Sequence, residues 1–242
     1  MAAHQTKDLV KRELKRRKAP RHGLSIVWVI LWSPVLWILT ELLIVSLWRF
    51  PKDFFNGLAA SSFAFAFALG SVLFVCFPCR PLYVFGHELT HWFAAVLTGH
   101  KADFPRLGLQ KGSVNVTQPT LFIALAPYFL PFFLILSAIA IAITRLFWHN
   151  APSLFWNLAF AWLGLCYSYH IVLTILALAH GQSDLQFRGP VLSYSVIVFG
   201  NFLVLYLSLV LVSQNWRAGW NIPWQLTQTL INKCINYSGL SV

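Results

Sequence analysis

The chain has 242 residues, 58% of them hydrophobic and only 10% charged, with 11 Trp and 21 Phe. A soluble globular domain carries about 25% charged residues; this composition excludes one and, with a mean hydropathy of +0.66, points to an all-α, polytopic membrane helical bundle. The net charge of +11 does not indicate a nucleic-acid partner, because eight of the 18 Lys and Arg precede Gly23 and no recognition motif accompanies them.

Residues 1–23, including KDLVKRELKRRKAPRH, form a basic arm against the first apolar run. There the arm acts as a positive-inside signal and attracts anionic lipid head groups, which predicts a cytoplasmic N-terminus. No cleavable signal peptide is expected, since the first apolar run exceeds a signal-peptide core. Apolar runs at 24–48, 58–79, 82–98, 119–146, 152–179 and 189–213 predict about six spans in one membrane domain, 24–213. Between 101 and 118, KADFPRLGLQKGSVNVTQ alternates apolar residues about a Gln-Lys-Gly-Ser turn, which predicts a short β-hairpin. Pro127 and Pro131 are expected to kink the run at 119–146 and to free backbone carbonyls. In the segment 214–242, Trp216, Trp220 and Trp224 suit the membrane interface, so an interfacial tail is expected.

The acidic residues are few enough to take singly. Asp8 and Glu13 lie in the basic arm, Asp53 and Asp103 in loops, and Glu41, Glu88 and Asp184 in or beside apolar runs. An ionisable group at membrane depth is a functional hypothesis by default. Glu41 reads as a residue that pairs with a buried cation or snorkels. Cys76-Phe-Pro-Cys79 has metal or redox spacing but lacks a second pair, and these cysteines, with Cys166 and Cys234, read as small hydrophobes.

His87-Glu88-Leu89-Thr90-His91 is an H-E-x-x-H motif in an otherwise apolar helix. Positions i and i+4 share one helix face, so both imidazoles can bind one metal ion, and Glu88 lies beside that face as a general base. Zinc suits two imidazoles and a carboxylate, with a position left open for water. Three residues are candidates for the third ligand: Asp184 in HGQSDLQFRG, His180 just before it, and His170 in YSYHIVLT. Asp184 is favoured because it follows Gly181 at a helix break, where irregular backbone lines polar cavities in membranes. Gln182, Ser183 and Gln186 are suited to hydrogen-bond it. An interfacial aspartate paired with Arg188 is the competing reading of Asp184, and His170 is also read as a group that polarises substrate. His100 and His149 read as loop residues.

HELTH at the start of an apolar helix, a hairpin-like loop after it and a later aspartate between apolar runs resemble the site-2 protease family of intramembrane zinc metalloproteases (the M50 peptidases), in particular the compact M50B-like branch. The resemblance covers roughly residues 80 to 200. It implies His87, His91 and Asp184 as zinc ligands and Glu88 as the catalytic base. The family's N-x-x-P-x-x-x-x-D-G motif is absent; Asp184 stands in Gln-Ser-Asp-Leu-Gln instead.

The expected function is therefore hydrolysis of a peptide bond in a membrane-spanning or membrane-associated protein. The alternatives are a membrane metalloenzyme acting on a lipid or small molecule, and a non-catalytic scaffold or transporter. Topology adds a condition. If every run crossed fully, Asp184 would emerge opposite the end of the membrane nearer His87. Either the catalytic segment and hairpin dip into the membrane and return, which the resemblance favours, or the metal sits near mid-bilayer.

Overall fold

Long runs of Leu, Ile, Val, Phe and Ala satisfy their backbone groups internally by forming helices, the economical solution where water is scarce. The computed structural model describes residues 22–54, 57–108, 112–148, 150–179, 185 and 189–238. Among them are eight helices: α1 (His22–Phe54), α2 (Gly57–Cys76), α3 (Arg80–Leu97), α4 (Leu121–Phe129), α5 (Phe132–Phe147), α6 (Ser153–Ala179), α7 (Pro190–Ser213) and α8 (Trp216–Ser238). The basic arm up to residue 21 lies outside the described residues, as do His149, His180, Asp184 and Arg188.

Among the described residues four segments are long and apolar enough to cross a bilayer: Val29–Arg49, Leu58–Cys76, Ser153–Ala179 and Pro190–Ser213. The α4–α5 pair makes a fifth if its two parts, bent by 69°, count as one span. This is fewer than the six expected from the apolar runs. The run at 82–98 is indeed helical, but α3 has 18 residues and does not join the set, because His87, Glu88 and His91 lower its hydropathy.

Two helix pairs form the frame. α2 packs along α6, and α1 along α7; α5 touches α6 and α7, and α8 folds back against α1. The α2–α6 contact is close because Gly164 lets the α6 backbone approach that of Phe63, the use of small residues common between membrane helices. Leu134, Ala138, Phe160, Leu163 and Leu209 are buried in the main core. Trp216, Trp220 and Trp224 recur at every fourth residue of α8 and are all exposed.

A second core holds α3 in place. Gly86, Thr90, Ala94 and Ala95 form its buried face, and α3 packs on α4, which in turn packs on α7. Ala94 and Ala95 share this cluster with Ile123, Leu125, Ala126, Tyr128, Leu185 and Ile197. α3 also exposes Leu82, Phe85, Phe93, Val96 and Leu97. Gly99 ends the helix with φ 75°, and His100 N–H closes on Ala95 O at 2.9 Å, a turn that favours glycine.

After α3 the chain runs out and back. Ala102 bridges Val116, and strands β1 (Arg106–Leu107) and β2 (Gly112–Ser113) pair antiparallel, Arg106 opposite Ser113 and Leu107 opposite Gly112. Residues 109–111 lie outside the described residues. Thr120 then caps α4, its hydroxyl accepting from Ile123 N–H at 3.3 Å. Leu130, the residue before Pro131, is extended at ψ 95°, and the helix restarts in a new direction as α5.

Candidate metal centre

The spacing of four places His87 and His91 one turn apart on α3, and their ring centroids lie 4.9 Å apart, nearly perpendicular at 81°. The Tyr128 ring meets His87 edge-on at 5.2 Å, and the Tyr83 ring lies 5.5 Å away. His87 Nδ1 is buried and has no hydrogen-bond partner among the described residues. A buried polar nitrogen in that state is costly, so its pairing is a question of function as well as of stability.

His91 is oriented differently. Its Nδ1 lies 2.8 Å from the carbonyl oxygen of Ile123 on α4. A carbonyl only accepts, so Nδ1 carries the hydrogen, and in the neutral ring the lone pair is then on Nε2. A hydrogen-bonded second nitrogen of this kind fixes the ring of a metal-ligating histidine.

Glu88 lies under the strand pair. A Cβ added at Gly112 of β2 would collide with Glu88 Cγ and come within 3.0 Å of Oε1, so only glycine leaves room for the glutamate there. On its other side the helix is tied to its own backbone, with Thr90 Oγ1 donating to Gly86 O at 2.7 Å.

His170, from the middle of α6, is buried. Its Nε2 lies 3.3 Å from Tyr128 O, which also receives Asn201 Nδ2 from α7 at 2.8 Å. His87 and His170 line one small cavity with Tyr83, Thr90, Pro127 and Tyr169. Its volume of about 20 Å³ is enough for a water molecule. The structure thus brings His87, His91, Glu88 and His170 into one neighbourhood. Asp184 and His180 lie outside the described residues, but Leu185 is buried with Ala94, Ala95 and Ile123 and accepts from Ser193 Oγ at 3.1 Å.

Among the described residues no three His, Cys, Asp or Glu side chains form a metal-holding group. Two imidazoles one turn apart, one held at Nδ1 by a carbonyl and the other with a buried nitrogen that has no partner among the described residues, nonetheless fit a zinc ion as two of its ligands.

Other candidates lie apart from this arrangement. Glu41 is exposed on α1. Cys76 and Cys79 are exposed free thiols, although the Cys79 carbonyl accepts Tyr169 Oη at 2.8 Å and so ties α6 to the start of α3. His100 stays local, its Nδ1 3.0 Å from Thr98 Oγ1. The carbonyls of Ile123 and Tyr128 have no side-chain signature in the sequence, where the proline pair was the available signal; Asn201, which acts through its side-chain amide, was missed although it is a polar residue in an apolar run. Compared with protein-family models, curated proteins and solved structures, the chain matches none.

Proposed function

We propose that the chain is an intramembrane zinc endopeptidase, similar to site-2 proteases, that hydrolyses a peptide bond of a membrane-spanning or membrane-associated protein. The observation that carries this reading is the pair His87–His91, 4.9 Å between ring centroids, with Glu88 between them in sequence and the His87 Nδ1 left without a partner among the described residues. A structural histidine pair has no need of a third polar group beside it.

His87 and His91 would hold the metal with Asp184. The burial of Leu185 in one cluster with Ala94 and Ala95 of α3 and Ile123 of α4 supports that choice, since the residue after Asp184 shares a core with the helix carrying both histidines. Zinc bound by these residues would lower the pKa of a water from 15.7 toward about 7 and polarise the scissile carbonyl.

Glu88 takes a proton from the attacking water and returns it to the departing amide nitrogen, so that carboxylate and amine products separate. The strand pair after α3, read as a β-hairpin, receives the unwound substrate by edge pairing. Gly112 against Glu88 supports this role, because a peptide aligned on the strands would run past the base. Pairing there limits the motion of the scissile carbonyl during attack. In this reading α3 and the hairpin dip into the membrane as a sixth apolar element, and the basic arm faces the cytoplasm.

The test is zinc stoichiometry by elemental analysis on detergent-purified wild type, His91→Ala and Asp184→Ala. The expected result is one zinc per chain, lost in both variants. Absence of zinc from wild type purified without chelator would sink the proposal. Glu88→Gln is expected to keep zinc and to lose hydrolysis by the roughly 10²–10⁴-fold typical of a general base.

A further inference from the structure

Pro127 stands inside α4, four residues after Ile123. In a continuous helix the N–H of residue 127 would close on the carbonyl of residue 123. Proline has no N–H, and its ring also crowds that carbonyl away from the helix axis. The ladder is intact to either side: Ala124 N–H bonds Thr120 O at 2.9 Å, and Leu130 N–H bonds Ala126 O at 2.8 Å. The bond that Pro127 removes is the one to Ile123 O.

Ile123 is only 1% exposed, so the released carbonyl cannot turn to solvent. A buried carbonyl without a donor is unfavourable, and nearly all find one. The donor in this protein is His91 Nδ1 on the neighbouring helix, at 2.8 Å.

A second carbonyl repeats the device. Tyr128 O would pair with the N–H of Phe132 if the helix continued, but the chain bends by 69° between Phe129 and Phe132. Tyr128 O instead takes Asn201 Nδ2 and His170 Nε2. One interrupted element thus supplies the acceptors for two of the histidines at the candidate centre.

We propose that Pro127 is a positioning residue for that centre. By deleting one hydrogen bond from α4 it creates the acceptor that holds His91 as its Nδ1–H tautomer, leaving Nε2 as the ligating nitrogen. The link to metal rests on the function proposed above; the tautomer itself is set in the metal-free protein.

The experiment separates the missing N–H from the shape of the ring. Three forms of the full chain are compared in detergent: wild type, Pro127→Ala, and a backbone ester with lactic acid at position 127, which has alanine's methyl group but no N–H. Nitrogen NMR of labelled histidine, assigned with His91→Gln, reads the tautomer in metal-free protein at mildly alkaline pH. Competition with a chromogenic chelator reads zinc affinity.

Wild type and ester are expected to keep the Nδ1–H tautomer. Pro127→Ala is expected to lose it and to bind zinc about 10–100-fold more weakly, the scale for removing a partner of a ligating histidine. Equal loss in the alanine and ester forms would assign the effect to ring shape and overturn the proposal. So would an alanine variant with unchanged tautomer and affinity. If wild type binds no zinc while the tautomer pattern holds, Pro127 still positions His91 and the metal reading fails instead.

Discussion

Gly112 and Glu88 are packed so closely that a Cβ at position 112 would fall 2.9 Å from the glutamate's Cδ and 3.0 Å from its Oε1. Gly112→Ala must therefore move either the strand or the carboxylate. Displacing a reacting group by about 1 Å can cost roughly 10²-fold in rate. Peptide hydrolysis by Gly112→Ala is expected to fall about 10–100-fold on that scale, with zinc content unchanged. Turnover and metal analysis on the same preparation check this; wild-type turnover would mean that Glu88 does not act from beneath β2.

The third ligand has a direct comparison. His170→Ala is expected to keep one zinc per chain, because the proposed ligands are His87, His91 and Asp184, whereas Asp184→Ala is expected to lose it. Elemental analysis of the two variants side by side decides. The reverse pattern would transfer the role of ligand to His170.

The α2–α6 contact makes a prediction about stability. A Cβ on Gly164 would meet backbone atoms of α2, with Phe67 N at 3.1 Å and the Phe63 carbonyl carbon at 3.2 Å. Backbone cannot rotate aside, so the helices must separate. Gly164→Ala is expected to destabilise by about 1–3 kcal/mol, the range for overpacking. The added methyl at Gly70 meets mainly the Ser168 and Leu165 side chains, which can change rotamer, so Gly70→Ala should cost less. Unfolding in mixed micelles with increasing dodecyl sulfate measures both, and equal costs would refute the distinction.

What the sequence revealed follows the reach of each signal. His87, Glu88 and His91 are legible because one helix sets their spacing, and the apolar runs because each helix satisfies its own backbone. The count of spans was less legible: the run at 82–98 looks continuous, yet its polar motif makes α3 a poor span, and Pro127 and Pro131 divide the next run into α4 and α5. Least legible were the partners contributed by backbone. Nothing in the identity of Ile123 or Tyr128 announces a carbonyl that orients a histidine, because that property belongs to the gap in the helix rather than to the residue. Gly112 was visible as part of a turn motif, but its packing on Glu88 depends on where the strands settle in three dimensions. Asp184, favoured on sequence grounds, lies outside the described residues.

The exposed face of α3, from Leu82 to Leu97, makes the helix bearing the candidate centre part of the protein's outer wall. On the function proposed above, a substrate helix arriving through the lipid would search in two dimensions, already aligned with the membrane normal. Its encounter rate would scale with the number of substrate molecules per unit of membrane area rather than with concentration in the aqueous volume. Diluting vesicles with buffer would leave that rate unchanged, whereas adding plain lipid to the same vesicles would slow it.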